Sequence, residues 1–166
     1  FHPGPLTILW DATTEIGTTT ANGTGWFNTT VTIPITSKGD HNVTLDEGKT
    51  KFIIWVNVIP TLVLVPDKGP VGTSVTAYGY GFEKSTATTT YNVTLWWDWI
   101  NYCTPKAYNL TRTKVNTVGQ FTVTFKAPHS VGGAHIVNAT EDDAAKTGAT
   151  ATFTITTAIA ISPTSF

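Results

Sequence analysis

The sequence predicts an all-β protein built from two β-sandwich domains in tandem, the first of which lacks its early strands. Three observations predict this fold class. Apolar and polar residues alternate along most of the chain, and no apolar pattern of helical period lasts longer than one turn. Clusters of Gly, Pro, Asp and Ser separate the alternating segments at the short spacing of a sandwich. The chain also contains an internal repeat.

Eleven segments carry the alternation, and we expect each of them to form a strand. In chain order they read LTILW, FNTTVTIP, HNVTL, KFIIWVNV, TLVLV, TSVTAYGY, YNVTLWW, NLTRTKV, QFTVTFKAP, AHIVNAT and ATATFTITT. Thr accounts for 35 of the 166 residues, and this residue type favours strands.

The repeat aligns residues 25–43 with residues 119–137 at a constant offset of 94. Its identical pairs are Gly25 and Gly119, Phe27 and Phe121, Pro34 and Pro128, Gly39 and Gly133, and His41 and His135. Each Pro ends a predicted strand, because it cannot continue the hydrogen-bond ladder. Each second Gly then reverses the chain. Upstream, LWD at 9–11 matches WWD at 96–98.

The two copies of the repeat differ in length. The second copy has two strands, TLVLVP and TSVTAYGYGF, before its WWD segment, and the first copy has neither. Phe1 aligns with Phe82. We therefore expect 1–58 to be an incomplete sandwich that a neighbouring unit completes, and 59–157 to be a complete one. Residues 158–166, which resemble the lead-in to a further domain, are then a donor strand or a linker.

One stretch resembles a known family. PDKGPVGTSVTAYGYGF at 66–82 is similar to the opening of IPT/TIG-like and related immunoglobulin-like repeats of prokaryotic surface proteins, archaeal ones in particular. The later segment with the pattern G-x-F-x-V-T-x-x-x-P…G-x-H resembles the second half of the same repeats. The resemblance implies immunoglobulin-like (Ig-like) sandwiches in an extracellular, non-catalytic module that serves as a spacer, adhesin or shell subunit.

Composition excludes several kinds of partner. Charged residues make up 13% of the chain, and the net charge is −1, so no basic stripe is present to bind nucleic acid. No apolar run reaches the ~18 residues that span a bilayer. The chain has no Met, which indicates a processed or excised segment. The single Cys, Cys103, is either a small buried residue or the site of an intermolecular disulfide.

Six N-x-[ST] sequons favour a glycan-coated surface, although a Thr-rich chain also acquires sequons by chance. They begin at Asn22, Asn28, Asn42, Asn92, Asn109 and Asn138.

No residue set predicts catalysis, so we expect a protein that is not an enzyme and has no cofactor. His41 and His135 occupy equivalent repeat positions, which indicates a structural role. Asp11 and Asp98 each follow a Trp at a strand end, which suits an Asx-type turn. Glu141, Asp142 and Asp143 are three close carboxylates that are candidates for binding Ca²⁺. A solvated acidic loop is the alternative that we favour for them.

The segment LWWDWINYC at 95–103 concentrates aromatic residues. Alternation places Trp97 and Trp99 on one face and Trp96 on the other. One face can fill the core, and the other is a candidate contact with a second subunit or with a glycan.

These observations predict an extracellular structural subunit, or repeat unit, of a filament, stalk or S-layer that assembles head to tail by β-strand donation. The alternative is an adhesin or carbohydrate-binding spacer module. The predicted partners are further copies of the chain and N-linked glycans. The residues expected to join two units are Ala158, Ile159, Ala160, Ile161, Pro163 and Phe166 of one unit and Phe1 of the next.

Overall fold

The structure, a computed structural model, describes residues 1–98, 108–142 and 148–157. These residues form twelve strands and no helix, and so contain no helix suited to crossing a membrane. The strands are β1 (Gly4–Trp10), β2 (Thr14–Ala21), β3 (Gly39–Asp46), β4 (Lys51–Val58), β5 (Thr61–Val65), β6 (Lys68–Gly69), β7 (Ser74–Tyr80), β8 (Asn92–Trp97), β9 (Tyr108–Lys114), β10 (Phe121–Lys126), β11 (Gly133–Glu141) and β12 (Gly148–Ile155).

The chain divides into two compact units, and unit 1 comprises Phe1–Ile59. Its strands form one antiparallel sheet in the order β2-β1-β3-β4. The inner face buries a small core that centres on Ile8, Trp10, Val43 and Leu45. Phe27 and Val31, from the segment between β2 and β3, pack against this core. This packing covers β1 and β3, which lie in the middle of the sheet.

Unit 2 comprises Pro60–Phe166 and contains two sheets. The smaller sheet has the order β10-β7-β5, and the larger has the order β6-β12-β11-β8-β9. Apolar side chains from both sheets form one continuous core, which includes Leu62 and Val75 from the smaller sheet and Val137 and Phe153 from the larger. The predicted all-β fold with sandwich packing is therefore confirmed.

The repeat corresponds to a shared sheet. β1, β2, β3 and β4 follow the same spatial order as β8, β9, β11 and β12. No described strand of unit 1 corresponds to β5, β6 or β7, so the smaller sheet of the sandwich has no counterpart there. This confirms that the first domain lacks its early strands.

The prediction of a strand for FNTTVTIP was wrong. Residues 27–32 are assigned to no strand, whereas the aligned residues Phe121–Lys126 form β10. In unit 2, β10 pairs with β7 along its whole length. Because the described part of unit 1 offers no strand in the place of β7, the same motif has no ladder to join.

Candidate functional site

The inner side of β4 is an apolar surface of unit 1 that the rest of the unit covers only in part. Phe52 and Ile54 lie opposite Leu45 and Val43 in the β3–β4 ladder, and directly opposed residues point to the same face of a sheet. Leu45 and Val43 are buried, but Phe52 is 56% exposed and Ile54 is 46% exposed. We call Phe52 and Ile54 the open face.

Unit 2 shows what covers the corresponding strand in a complete sandwich. There β5 packs against β12 across the core, with Leu62 and Leu64 buried. Phe153 of β12, which takes the place of Val56 in the matched hairpin, is fully buried, whereas Val56 is only half-buried. No described strand of unit 1 stands where β5 stands in unit 2, and Val56 is less covered than Phe153. At the places of Phe52 and Ile54 themselves, unit 2 has the small residues Ala149 and Ala151, which are half-buried.

The outer side of β4 is also apolar, which the sequence analysis missed. Ile53 is 51% exposed and Trp55 is 70% exposed. The hairpin registers place Thr150 and Thr152 at the corresponding positions of β12. The unbroken apolar run FIIWV, beside the alternating TATFTI of the second copy, was the signal for this difference.

Phe1 lies at the edge of the open face. Its ring meets those of Phe27 and Phe52 edge-on, with centroids 5.3 and 6.1 Å away. Phe82 meets Phe121 in the same way, at 5.1 Å. Phe1 therefore has the ring contact that its alignment with Phe82 predicts. Its role in assembly, like that of residues 158–166, which lie outside the described residues, stays a prediction.

A glutamate holds the residue that follows each of these Phe rings. In unit 1, Glu47 Oε2 accepts the backbone N–H of His2 at 3.0 Å. In unit 2, Glu141 Oε1 accepts the backbone N–H of Glu83 at 2.5 Å. The His2 N–H is the main reason that the pKa of Glu47 lies below its ordinary value. Residue 47 also aligns with residue 141 in the repeat. The two units therefore bind the backbone that follows Phe1 or Phe82 at equivalent positions.

Each unit contains a Trp–Asp–His cluster, which we call the latch. The Trp10 and His41 rings stack with centroids 5.0 Å apart, and the Trp97 and His135 rings stack at 4.9 Å. His41 Nδ1 lies 2.8 Å from Asp11 Oδ2, and His135 Nδ1 lies 2.7 Å from the Asp98 carboxylate. The latch joins the end of β1 to β3, and the end of β8 to β11.

The latch also binds backbone groups. Asp98 Oδ1 accepts the N–H of Ile136 at 3.0 Å, and its own N–H donates to the Ile136 carbonyl at 2.8 Å. Asp98 has a φ of 53°, a left-handed conformation that Asp tolerates better than most residues. The Asx-type turn expected at this residue stays a prediction, because the residues that follow Asp98 lie outside the described part of the chain. Its carboxylate instead bonds across the sheet, to the Ile136 N–H and to His135 of β11.

His135 has an acceptor at both ring nitrogens. Its Nε2 lies 2.8 Å from the Val131 carbonyl, and its Nδ1 faces Asp98. Only the protonated imidazolium donates from both nitrogens. Burial lowers the pKa of His135, but the hydrogen bonds to Val131 and Asp98 and the charge of Asp98 outweigh burial, so the pKa is raised. The contact between His135 and Asp98 links β11 to the end of β8, which agrees with a structural role for His135.

The aromatic cluster is divided between the two faces of β8. Trp97 is buried, and its Nε1–H donates to Ser130 Oγ at 2.9 Å. Trp96 is half-buried on the other face, where its Nε1–H donates to Thr140 Oγ1 at 2.9 Å. Trp99 lies outside the described residues. Trp97 therefore belongs to the core, and an interface role for Trp96 stays a prediction.

The six sequons differ in how far they reach solvent. Asn22, Asn28 and Asn109 are exposed, and Asn42, Asn92 and Asn138 are half-buried. Asn22 forms a turn in which its Oδ1 accepts the N–H groups of Thr24 and Trp26. All six stay predicted glycosylation sites.

Two of the three clustered acids contact protein groups. Glu141 is 2% exposed, and its carboxylate holds the chain at Glu83 as described above. Asp142 Oδ2 accepts from Arg112 Nε at 2.8 Å. Within the described part of the chain, no group of three His, Cys, Asp or Glu side chains is placed to hold a metal. Asp143 lies outside that part, so calcium binding stays an untested expectation.

Unit 2 also has an open cleft of about 720 Å³ next to its latch. Trp97 and Asp98 line one part of it, and Lys126 and His129 line another. Tyr108, which is 61% exposed, also faces this cleft. An exposed aromatic ring beside polar groups is a surface on which a sugar ring can stack.

Comparisons with known proteins place the chain in no family, since no family model and no curated protein matches it. Among solved structures it is similar to the CARDB domain of a Pyrococcus furiosus protein, solved with di-metal ions. The identity is 13% over 59% of this chain and 86% of that chain, with a TM-score of 0.39.

Two larger proteins are also similar. The Yersinia pseudotuberculosis adhesin InvE has 13% identity over 94% of this chain and 51% of that chain, with a TM-score of 0.41. The BSP domain of a biofilm-associated protein has 15% identity over 95% of this chain and 25% of that chain, with a TM-score of 0.35. The chain thus spans about half of the first protein and a quarter of the second.

Proposed function

We propose that this protein is a non-catalytic structural subunit or repeat unit of an extracellular filament, stalk or S-layer. Units assemble head to tail, and residues 158–166 of one unit supply a β-strand to unit 1 of the next. The open face of β4 carries this proposal. Unit 2 supports it as a complete reference, because the strands that cover the matching surface there have no described counterpart in unit 1.

The energy of such an association comes from apolar burial and from backbone hydrogen bonds. Full burial of an Ile or Phe side chain contributes about 1.5–3 kcal/mol. Because Phe52 and Ile54 are already about half-covered, closing the open face would add roughly 2 kcal/mol in total. Each new backbone hydrogen bond would add about 1 kcal/mol. Full burial of Ile159 and Ile161 of the donor would add about 1.5–3 kcal/mol each, so the ladder and the side chains contribute comparable amounts.

The surface of the chain supports an extracellular location. Three sequons lie at exposed positions, and the Thr-rich loops between strands offer further sites for sugars. The described chain is all-β, like the surface-protein repeats that 66–82 resembles. Glycans on the outer faces of the sandwiches would leave the open face free for assembly.

Deleting residues 158–166 tests this proposal. The full chain should form head-to-tail oligomers that grow with concentration in sedimentation experiments, and the truncated chain should stay monomeric. A Phe52→Thr/Ile54→Thr variant should assemble more weakly. Ile53→Thr/Trp55→Thr is the matched control, because it changes the outer side of the same strand to the Thr residues of unit 2. Polymers from the truncated chain would refute strand donation by this tail.

The cleft of unit 2 favours a second candidate, a carbohydrate-binding spacer or adhesin module. Tyr108 would then stack on a sugar, and Lys126 and His129 would bind its polar groups. A glycan array screened with the full chain and with Tyr108→Ala tests this function. Binding that Tyr108→Ala abolishes would support it, and equal signals from the two proteins would count against it.

A further inference from the structure

We propose that the incoming strand pairs antiparallel with residues 27–32, in the place that β7 holds in unit 2. Its source is the segment 158–166 of a second copy of this chain. The inference rests on the proposed function and goes further, since it names the receiving backbone and the register of the strand.

The first argument is the duplicated motif. Residues 27–32 and β10 occupy the same positions of the repeat, and both begin with a Phe that packs against a core. β10 forms six consecutive pairs with β7, from Phe121↔Gly79 to Lys126↔Ser74. Residues 27–32 pair with no strand of the described chain. The segment with the sequence of a paired strand is thus the natural acceptor for a missing partner.

The second argument is the position of Phe1. In unit 2, β7 ends at Tyr80, two residues before Phe82. Phe1 repeats the contacts at Phe82, both the edge-on ring contact with Phe27 and the glutamate that holds the following N–H. The place next to Phe1 and Phe27 is therefore the place where β7 would end. No described residue of unit 1 forms a strand there.

The third argument is side-chain size. On the inner face, Val75 lies opposite Phe125, and Ala77 lies opposite Val123. In unit 1 the repeat replaces Phe125 with Val31, and it replaces Val123 with the small, polar Thr29. Reduced side chains on the acceptor leave room for larger ones on the donor. The segment 158–166 offers Ile159 and Ile161, which alternation places on one face.

This fit defines the register. Ile159 lies opposite Val31, and Ile161 lies opposite Thr29. The next inner position faces Phe27 and corresponds to Gly79 of unit 2, where a Cβ would lie 2.0 Å from the Phe121 ring. The Cβ of Pro163 therefore requires the Phe27 ring to lie elsewhere than the Phe121 ring does. Pro163 reaches this position and ends the ladder, since it has no N–H to donate.

The length and the charge of residues 158–166 are compatible with the place of β7. β7 has seven residues, and 158–166 has nine. Neither 158–166 nor 27–32 contains a charged side chain, and inward-pointing charges are a common means of blocking strand addition.

The free edge of β4 is the competing site. A strand added there would extend the larger sheet, but it would leave residues 27–32 unpaired. In unit 2 the matching edge of β12 receives only the two residues of β6. The observations therefore favour the place of β7.

Disulfide trapping tests the register in a Cys103→Ser background. Thr29→Cys with Ile161→Cys should give a covalent ladder of oligomers on a non-reducing gel, because opposed residues meet the geometry of a disulfide. Thr30→Cys with Ile161→Cys is the matched control and should give no ladder, since neighbouring side chains point to opposite faces. Trp55→Cys with Ile161→Cys tests the edge of β4.

Hydrogen exchange on the unmodified chain provides a second measurement that needs no substitution. The amides of residues 27–32 should exchange at least ~10-fold more slowly in the polymer than in the monomer, and the β4 amides should change little.

Each other outcome overturns the inference in its own way. A ladder from the Trp55 pair, or polymers with no ladder and no added protection at 27–32, would refute this position and leave strand donation intact. A cross-linked monomer would refute the second copy as the source. Polymers that persist without residues 158–166 would refute the proposed function itself.

Discussion

The latch of unit 2 offers a sharp test through the single substitution Asp98→Asn. Asn keeps an oxygen that accepts the Ile136 N–H, and it tolerates the left-handed backbone at this residue, where φ is 53°. The substitution therefore removes the negative charge beside His135 and little else. Unit 2 should become less stable near neutral pH, and its stability should depend less on pH.

The size of the effect follows from the burial of the pair. A hydrogen bond to a charged group contributes about 1.5–3 kcal/mol. The His135 side chain is 8% exposed, but that of Asp98 is 40% exposed, so solvent screening reduces the figure to about 1 kcal/mol. A loss of this size changes the unfolding equilibrium about fivefold.

The direction with pH follows from the raised pKa of His135. Its contribution is fully present below the ordinary value of 6.5 and is lost as the pH rises through the raised pKa. This group therefore makes unit 2 less stable in alkali, and Asp98→Asn should cost much less there than at about pH 6.

The assay combines an NMR titration of the His135 ring in the full chain with urea unfolding at about pH 6 and about pH 9. Asp67→Asn, which removes an exposed carboxylate from the same unit, is the control and should leave both measurements unchanged. The reasoning fails if the pKa of His135 is the same in the wild type and in Asp98→Asn. It also fails if the substitution costs as much stability in alkali as at about pH 6.

Two further predictions concern packing and modification. Gly79→Ala should destabilise unit 2 by about 1–3 kcal/mol in urea unfolding, because its Cβ would clash with the Phe121 ring. Gly23→Ala is the control and should have little effect, since its Cβ would meet nothing within 4 Å. An equal loss of stability from both substitutions would contradict this reasoning. Mass spectrometry of native material should find glycans first at the exposed sequons, and unmodified Asn at all three would overturn that prediction. These sites are Asn22, Asn28 and Asn109.

The sequence predicted most of the sheet that both units share, because its strands alternate and their repeat pattern is duplicated. It missed β2, whose segment TEIGTTTA was not among the predicted strands. It did not predict the latch, although the matched His and Asp residues were both recognised. The two His lie 94 residues apart and the two Asp lie 87 apart. Because these offsets differ, the spacing does not indicate that the Asp and the His of one unit contact each other. Their contact depends on the register between β8 and β11, which places Asp98 beside His135.

The failure at residues 27–32 has a different cause. Alternation reports how well a segment would fit a pleated, half-buried surface, but a strand also needs a neighbour to bond with. The motif has that neighbour in unit 2 and lacks it in the described part of unit 1. The alternation therefore correctly indicated a segment suited to a strand, but it gave no information on whether a neighbouring strand is present. The missing early strands did predict that unit 1 is incomplete and exposes apolar surface, but the position of that surface on β4 became visible only in the structure.

The location of the latch has a consequence for how such domains change over evolutionary time. Its Trp and His lie on β1 and β3, or on β8 and β11, and its Asp directly follows β1 or β8. None of these residues belongs to the lead strands, which are β5 and β7 in unit 2. A duplicated gene can thus shed or exchange those lead strands without disturbing the side-chain bonds that fix the order of the remaining sheet. The latched sheet would then be the inherited part, and the covering strands would be the parts that another chain provides in the proposed assembly.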